Sequence, residues 1–272
     1  MLLDDMLARI ISWGKSREEV CALVLEGSYA KEEGVDDLSD LDINIWFDGA
    51  LTFGRGTQWL EAIGVVLIEN PLTMTTPAGE MRTQLVIFEN GVKVDFSFWP
   101  ISLLEKPFPY YEKLQVLVDK EDYARKINRC IAKNEKLPLS ESSFQGLVNE
   151  FWFELHYVAK FLKRGEVWFV QGIQAGIREN YFLPLFEECA RIEGVKTSFS
   201  GRQIEKWLPS VFVKRLPCLF AGYDVADGWQ VMWEEIALFE EVSLFVARNR
   251  DFDLPVAKIE GMKALLKQIQ EA

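Results

Sequence analysis

The sequence predicts an α+β protein, with strands gathered in its first half and helices in its second. Three observations carry this. Residues 41–47, from Leu41 to Phe47, alternate with period two, as a strand does when its two faces differ. Gln84 to Phe88 and Val92 to Trp99 are apolar-rich runs joined by Glu89-Asn90-Gly91, and Asn-Gly between such runs marks a β-hairpin because its turn needs positive φ. Beyond Pro138-Leu139-Ser140, Phe144, Leu147, Val148, Phe151, Trp152, Leu155, Val158, Ala159 and Leu162 recur at helical spacing. The change of pattern divides the chain into expected domains at 1–135 and 136–272.

Taken in order, residues 1–13 predict an amphipathic helix with Leu3, Met6, Leu7, Ile10 and Ile11 on one stripe, ended by Gly14. Val20 to Leu25 is an apolar strand that runs into Gly27-Ser28. Tyr29 to Glu33 is expected as a short helical turn, and Gly34 to Ser39 as a polar loop. In the strand Leu41 to Phe47, the side with Leu41, Ile43, Ile45 and Phe47 is the expected core; the side with Asp42 is the expected cleft. Thr57 to Ile63 reads as a short helix and Val65 to Ile68 as a strand. Residues 70–80, with Pro71, Pro77 and Gly79, are expected as a loop. Pro100, Pro107 and Pro109 mark a connector, and Tyr123 to Asn134 is expected as a helix. The second half continues with a helical run over Val167 to Glu193, despite Gly172, Gly176 and Pro184. A short helix follows at Ile204 to Leu208. A long one starts at Asp227 as N-cap and ends near Asn249, and the tail Val256 to Ala272 is amphipathic. Glu240 falls on the apolar side of the long helix, as a buried acid with a partner or as a cleft acid.

Composition removes several function classes. The formal charge of −12 argues against a nucleic-acid binder, which needs a basic footprint, and suits either a cationic substrate or plain solubility. No uninterrupted apolar stretch reaches the length of a membrane span, and Met1 to Asp5 has no signal-peptide character. Cys21, Cys130, Cys189 and Cys218 have no paired spacing and read as reduced thiols of a cytoplasmic protein. With His156 as the one histidine, a multi-histidine zinc site is unavailable; HExxH, a P-loop and a Gly-x-Gly-x-x-Gly turn are absent. Chemistry based on carboxylates and a metal is what remains.

Leu25-Glu26-Gly27-Ser28 followed by Asp40-Leu41-Asp42 supplies it. Spaced i, i+2 at a strand entry, Asp40 and Asp42 point the same way and repel unless a cation joins them. Mg²⁺ bound to substrate phosphates suits such oxygen ligands. Gly27 allows close approach of backbone to a ligand, and Ser28 adds a hydroxyl. The alternative is a plain Gly-Ser turn and a solvated strand entry. Asp95, in the middle of an apolar strand, is either an acid on an exposed face or the third member of the group. The pattern resembles the signature of the DNA polymerase β-like nucleotidyltransferases.

Over most of its length the chain resembles the aminoglycoside 6-adenylyltransferase (streptomycin adenylyltransferase) family. The resemblance is carried by these segments and by the hairpin Phe88 to Phe96. It continues through Asn149-Glu150-Phe151-Trp152, Tyr157-Val158-Ala159-Lys160, Gly194 to Ser200, and Trp229 through Pro255. It implies an N-terminal nucleotidyltransferase domain with a mixed β-sheet flanked by helices and a C-terminal helical domain that binds the acceptor. ATP and Mg²⁺ are the implied cofactors and an aminoglycoside hydroxyl the implied acceptor. Asp40, Asp42 and Asp95 are then expected as metal ligands and catalytic groups, with Asp95 as base, second-metal ligand or both. Gly27, Ser28 and Lys160 are expected on the nucleotide. Glu150 and His156 are candidates for a cationic acceptor, against the alternatives of a surface acid and a packed histidine. Departures are a Ser28–Asp40 loop without the usual prolines, Leu41 where an aromatic is common, and Ser198 in place of an asparagine. The same chemistry on another acceptor, such as a lincosamide, a metabolite or a protein hydroxyl, and a non-catalytic nucleotide-binding module remain the rivals. The sequence does not fix the oligomeric state.

Overall fold

The computed structural model describes residues 2–31, 35–36, 38–50, 53–54, 56–76, 79–104, 113–129 and 137–272. The chain divides into two compact units, Met1–Glu135 and Lys136–Ala272. The protein is α+β: one unit holds a mixed six-stranded sheet and the other is helical.

The first unit runs α1 (Leu2–Ser16), β1 (Val20–Glu26), α2 (Gly27–Lys31), β2 (Leu41–Phe47), β3 (Val66–Thr76), β4 (Gly79–Phe88), β5 (Lys93–Pro100), β6 (Gln115–Asp119) and α3 (Tyr123–Arg129). Strand order is β3-β4-β5-β2-β1-β6. β2 and β5 pair in parallel, and the other neighbours pair antiparallel. A parallel pair needs a long crossover, and the β3–β4 hairpin lies within it. Both faces of the sheet are covered. On one, Leu23, Leu25, Ile43, Ile45, Phe96 and Phe98 pack with Leu3, Met6, Ile10 and Trp13 of α1. On the other, Ala22, Val24, Trp46 and Trp99 pack with Tyr123 and Ile127 of α3.

Several expectations are corrected here. Gly14 does not end α1; it lies inside the helix, where a Cβ would fall 2.4 Å from Leu23 Cδ1. It is a packing glycine that lets the helix sit close on β1. Residues 70–76 and 79–80 are strand, not loop, and Pro77 lies outside the described residues. Residues 66–76 and 79–88 form a long antiparallel hairpin, and Pro71 is tolerated because β3 is the sheet's edge, where a missing N–H costs no ladder bond. The expected strand at Val65 to Ile68 is only the beginning of β3. The expected helix at Thr57 to Ile63 shrinks to a 3₁₀ turn, Gln58–Leu60. The connector after Pro100 contains an unexpected strand, β6, paired with β1. Pro107, Pro109 and the expected end of the helix at 130–134 lie outside the described residues.

The second unit contains α4 (Glu141–Lys163), α5 (Val167–Ile177), α6 (Leu183–Ile192), α7 (Ile204–Trp207), α8 (Ser210–Val213), α9 (Val225–Arg250) and α10 (Val256–Glu271). Ser140 caps α4 through a hydrogen bond from Ser143 N at 3.1 Å. A π-helical turn at Arg178–Phe182 joins α5 to α6, so the expected run over Val167 to Glu193 is helical but interrupted. Asp224, not Asp227, caps α9: its Oδ1 accepts from Asp227 N at 3.0 Å. Phe151 and Phe239 stack face to face at 3.6 Å in the core between α4 and α9. Buried Glu188 of α6 pairs with Arg191 and accepts from Arg250 Nε at 2.7 Å, which ties the end of α9 to α6. Glu240 has a partner: Lys263 of α10 at 2.9 Å.

Glu235 of α9 is wholly buried and accepts one hydrogen bond, from Gln174 Nε2 at 3.3 Å. Burial pushes its pKa up to about 8, against the pull of Gln174 and Arg178. The folded-state pKa thus lies above the unfolded value, so Glu235 favours folding while protonated. That contribution is whole below the unfolded pKa and is lost as pH rises through about 8. Glu235→Gln keeps the shape and removes the titration. Its melting temperature should therefore fall less than the wild type's between about pH 6 and about pH 9, a difference readable by calorimetry.

Candidate active site

Because β2 and β5 run parallel in register, Asp42 stands opposite Asp95, Asn44 opposite Ser97 and Trp46 opposite Trp99. Cross-strand partners share a face, so this face passes from acidic to apolar along the strands. At its apolar end Trp46 and Trp99 stack at 5.8 Å, and Trp99 Nε1 donates to Asn44 Oδ1 at 3.1 Å. The expectation that the Asp42 side is simply an open cleft is thus half right: the end near α3 is core, and only the acidic end is partly open.

β1 extends the acidic row. Glu26, its last residue, pairs with Asp42. Glu26, Asp42 and Asp95 therefore lie in line across three adjacent strands, with Asp40 just before β2. In the sequence Glu26 stands out only as part of the Glu26-Gly27-Ser28 motif. The available signal was a charged residue on the alternation Ala22, Val24, Glu26, but assigning it a neighbour requires the strand register.

Asp42 bears the consequence of this crowding. Its pKa is raised, first by burial and then by the charge of Asp95, with Asp40 adding and Lys93 opposing. Gly27 lies against it: with φ +72°, a Cβ there would fall 1.9 Å from Asp42 Oδ2. The turn after β1 thus requires glycine for both its backbone conformation and its contact. Tyr29 of α2 donates to Asp4 Oδ1 at 2.5 Å, fixing α2 to α1. Ser28 is half-buried at the start of α2.

A cation already bridges two of the acids. Lys93 Nζ lies 2.8 Å from Asp40 Oδ2 and 2.8 Å from Asp95 Oδ1. Asp95 Oδ1 is buried and, despite that ion pair, has no hydrogen-bond partner of good geometry. As the side chains stand, no three His, Cys, Asp or Glu among the described residues converge to hold a metal ion. The donor chemistry nevertheless fits a hard divalent cation: Asp42 and Asp95 are cross-strand neighbours with mutually repelling carboxylates, and Asp40 shares its cation with Asp95. With the ammonium moved aside, these oxygens are donors of the type such an ion takes.

The other expected site residues lie on α4 in the second unit, His156 and Lys160 one turn apart on one side and Glu150 on another. His156, with Asn149, Phe153, Lys258 and Met262, lines a groove of about 710 Å³ between α4 and α10. Glu150 is exposed and, with Glu154, adds to the upward shift that burial gives Tyr181. Lys160 Nζ sits over the Tyr157 ring at 5.1 Å. The structure brings Asp40, Asp42, Asp95 and Gly27 together; it does not bring Glu150 and His156 to one wall.

The chain belongs to the streptomycin adenylyltransferase family, whose model matches residues 3–269. It is 27% identical over 264 residues to an aminoglycoside 6-adenylyltransferase of Campylobacter jejuni, covering 91% of this chain and 88% of the relative. Against that of Bacillus subtilis strain 168 it is 26% identical over 267 residues, covering 92% of each. A solved aminoglycoside 6-adenyltransferase structure from Bacillus subtilis is 20% identical, with a TM-score of 0.48, covering 97% of this chain and 96% of that one.

Proposed function

We propose that this protein transfers AMP from ATP, with Mg²⁺, to a hydroxyl of an aminoglycoside such as streptomycin. The observation that carries the reading is the alignment of Asp42 with Asp95 across a parallel strand pair, beside Asp40 and the Gly27 turn. The family and its relatives' names support adenylyl transfer to this kind of acceptor.

Asp40, Asp42 and Asp95 would hold the metal. When bound, Mg²⁺ supplies charge neutralisation for the triphosphate and a lower pKa for a coordinated hydroxyl. Asp95 takes the acceptor's hydroxyl proton, and the hydroxyl oxygen bonds to the α-phosphorus. The bond from that phosphorus to the bridging oxygen breaks, and pyrophosphate leaves. Gly27, lacking a side chain, lets backbone approach the phosphates, and Ser28 offers its hydroxyl to them. Lys160 is offered as a nucleotide contact, and Glu150 and His156, on separate sides of α4, as alternative contacts for the cationic acceptor; residues 1–135 do the chemistry and 136–272 chiefly bind the acceptor. Among the described residues no helix is long and apolar enough to cross a membrane, and four scattered cysteines fit a cytoplasmic setting.

The test is pyrophosphate release from Mg-ATP across a panel of aminoglycosides and other hydroxyl acceptors. Release with streptomycin is the expected result. Release only with other acceptors would keep the chemistry and change the substrate. ATP binding without release under any condition would indicate a nucleotide-binding module.

A further inference from the structure

Lys93 opens β5 and, two residues before Asp95, shares its face. Its ammonium is bound by both flanking carboxylates: 2.8 Å from Asp40 Oδ2 and 2.9 Å from Asp95 Oδ2, with Asp95 Oδ1 also at 2.8 Å. The atoms that hold it are those a divalent ion would need. Ammonium and metal ion therefore compete for one set of lone pairs, and like charge keeps them from sharing it. Lys93 also opposes the repulsion on Asp42. Its side chain is 32% exposed, and its stem has four rotatable bonds, so the head can leave the acids without disturbing β5.

From this geometry we infer that Lys93 is a tethered counter-ion of the acidic site. In the free protein it bridges Asp40 and Asp95 and holds off a free divalent ion. With metal and triphosphate bound together, Asp40 and Asp95 would hold the metal and the released Lys93 ammonium would pair with the phosphates. Lys93 is thus a positioning residue that makes the site accept metal with nucleotide in preference to metal alone. The inference rests on Asp40 and Asp95 being metal ligands, as in the proposed function.

The test uses the full chain and measures binding, not turnover. Free Mn²⁺ is titrated by electron paramagnetic resonance into wild type, Lys93→Gln and Lys93→Arg, and Mn-ATP is then titrated into the same three. Without nucleotide, Lys93→Gln should bind Mn²⁺ about tenfold more tightly than wild type, since one like charge beside the ion is gone. In the same variant the affinity for Mn-ATP should fall, and Lys93→Arg should restore both values towards wild type. A purely structural role would not move the two affinities in opposite directions. Unchanged Mn²⁺ affinity in Lys93→Gln, or unchanged Mn-ATP affinity, overturns the inference. Circular dichroism of both variants separates these outcomes from misfolding, and Lys93→Arg keeps the test open if Lys93→Gln does not fold. Pyrophosphate release by the wild type judges the proposed function independently, so each idea can fail alone.

Discussion

Asp42→Asn should lower pyrophosphate release by about a thousandfold or more while making the metal-free protein more stable at neutral pH. Asp42 is the middle member of the row Glu26, Asp42, Asp95, with a carboxylate opposite it on each side. Asparagine has nearly the same shape and keeps the contact with Gly27. It removes the negative charge that would bind the metal, which explains the expected loss. The stability gain follows from the raised pKa of Asp42, caused by burial and then by Asp95. A carboxyl whose folded-state pKa is raised favours folding only while protonated. That contribution is whole below the unfolded pKa and disappears as pH rises through the folded value. The variant should therefore melt higher than wild type near neutrality, and the gap should close as pH falls through the carboxylate range. Paired melting and activity curves check both halves. An active Asp42→Asn would remove Asp42 from the mechanism.

Gly27→Ala should also abolish activity, by a different route. Alanine at φ +72° costs about 1–2 kcal/mol of backbone strain. Its Cβ would also fall 1.9 Å from Asp42 Oδ2, so either the turn or the aspartate must move. The hairpin supplies a control. Gly91 has φ +83° but open space where its Cβ would lie, so Gly91→Ala carries similar strain without the collision. The expected pattern is a loss of denaturant stability in both variants, larger in Gly27→Ala, and a collapse of pyrophosphate release only in Gly27→Ala. Equal activity losses would mean that strain in the sheet, not the contact with Asp42, sets the rate.

Features governed by local chemistry were legible in the sequence. The alternation of residues 41–47, the Asn90-Gly91 turn and the helical period from Phe144 to Leu162 each depend on neighbours a few residues away, and each appears as an element of the expected type. Asp42 and Asp95 could be picked out as acids on strands, and Asp40 as an acid at a strand entry. Features governed by distant partners were not legible. Gly14 reads as a helix stop until Leu23 is found against it. Pro71 reads as a loop until β3 is known to be an edge. The five residues of β6 are too few to show a period, and they become a strand through pairing with β1. Glu26 and Lys93 join the acidic site through register and side-chain reach. Glu235 stands out only once α5 and α9 enclose it with Gln174.

The most direct measurement is anomalous scattering from crystals grown with Mn²⁺ and a non-hydrolysable ATP analogue. The expected result is manganese bonded to carboxylate oxygens of Asp42 and Asp95, with the Lys93 ammonium turned to the phosphates. Manganese bound elsewhere, with Lys93 still bridging Asp40 and Asp95, would contradict it.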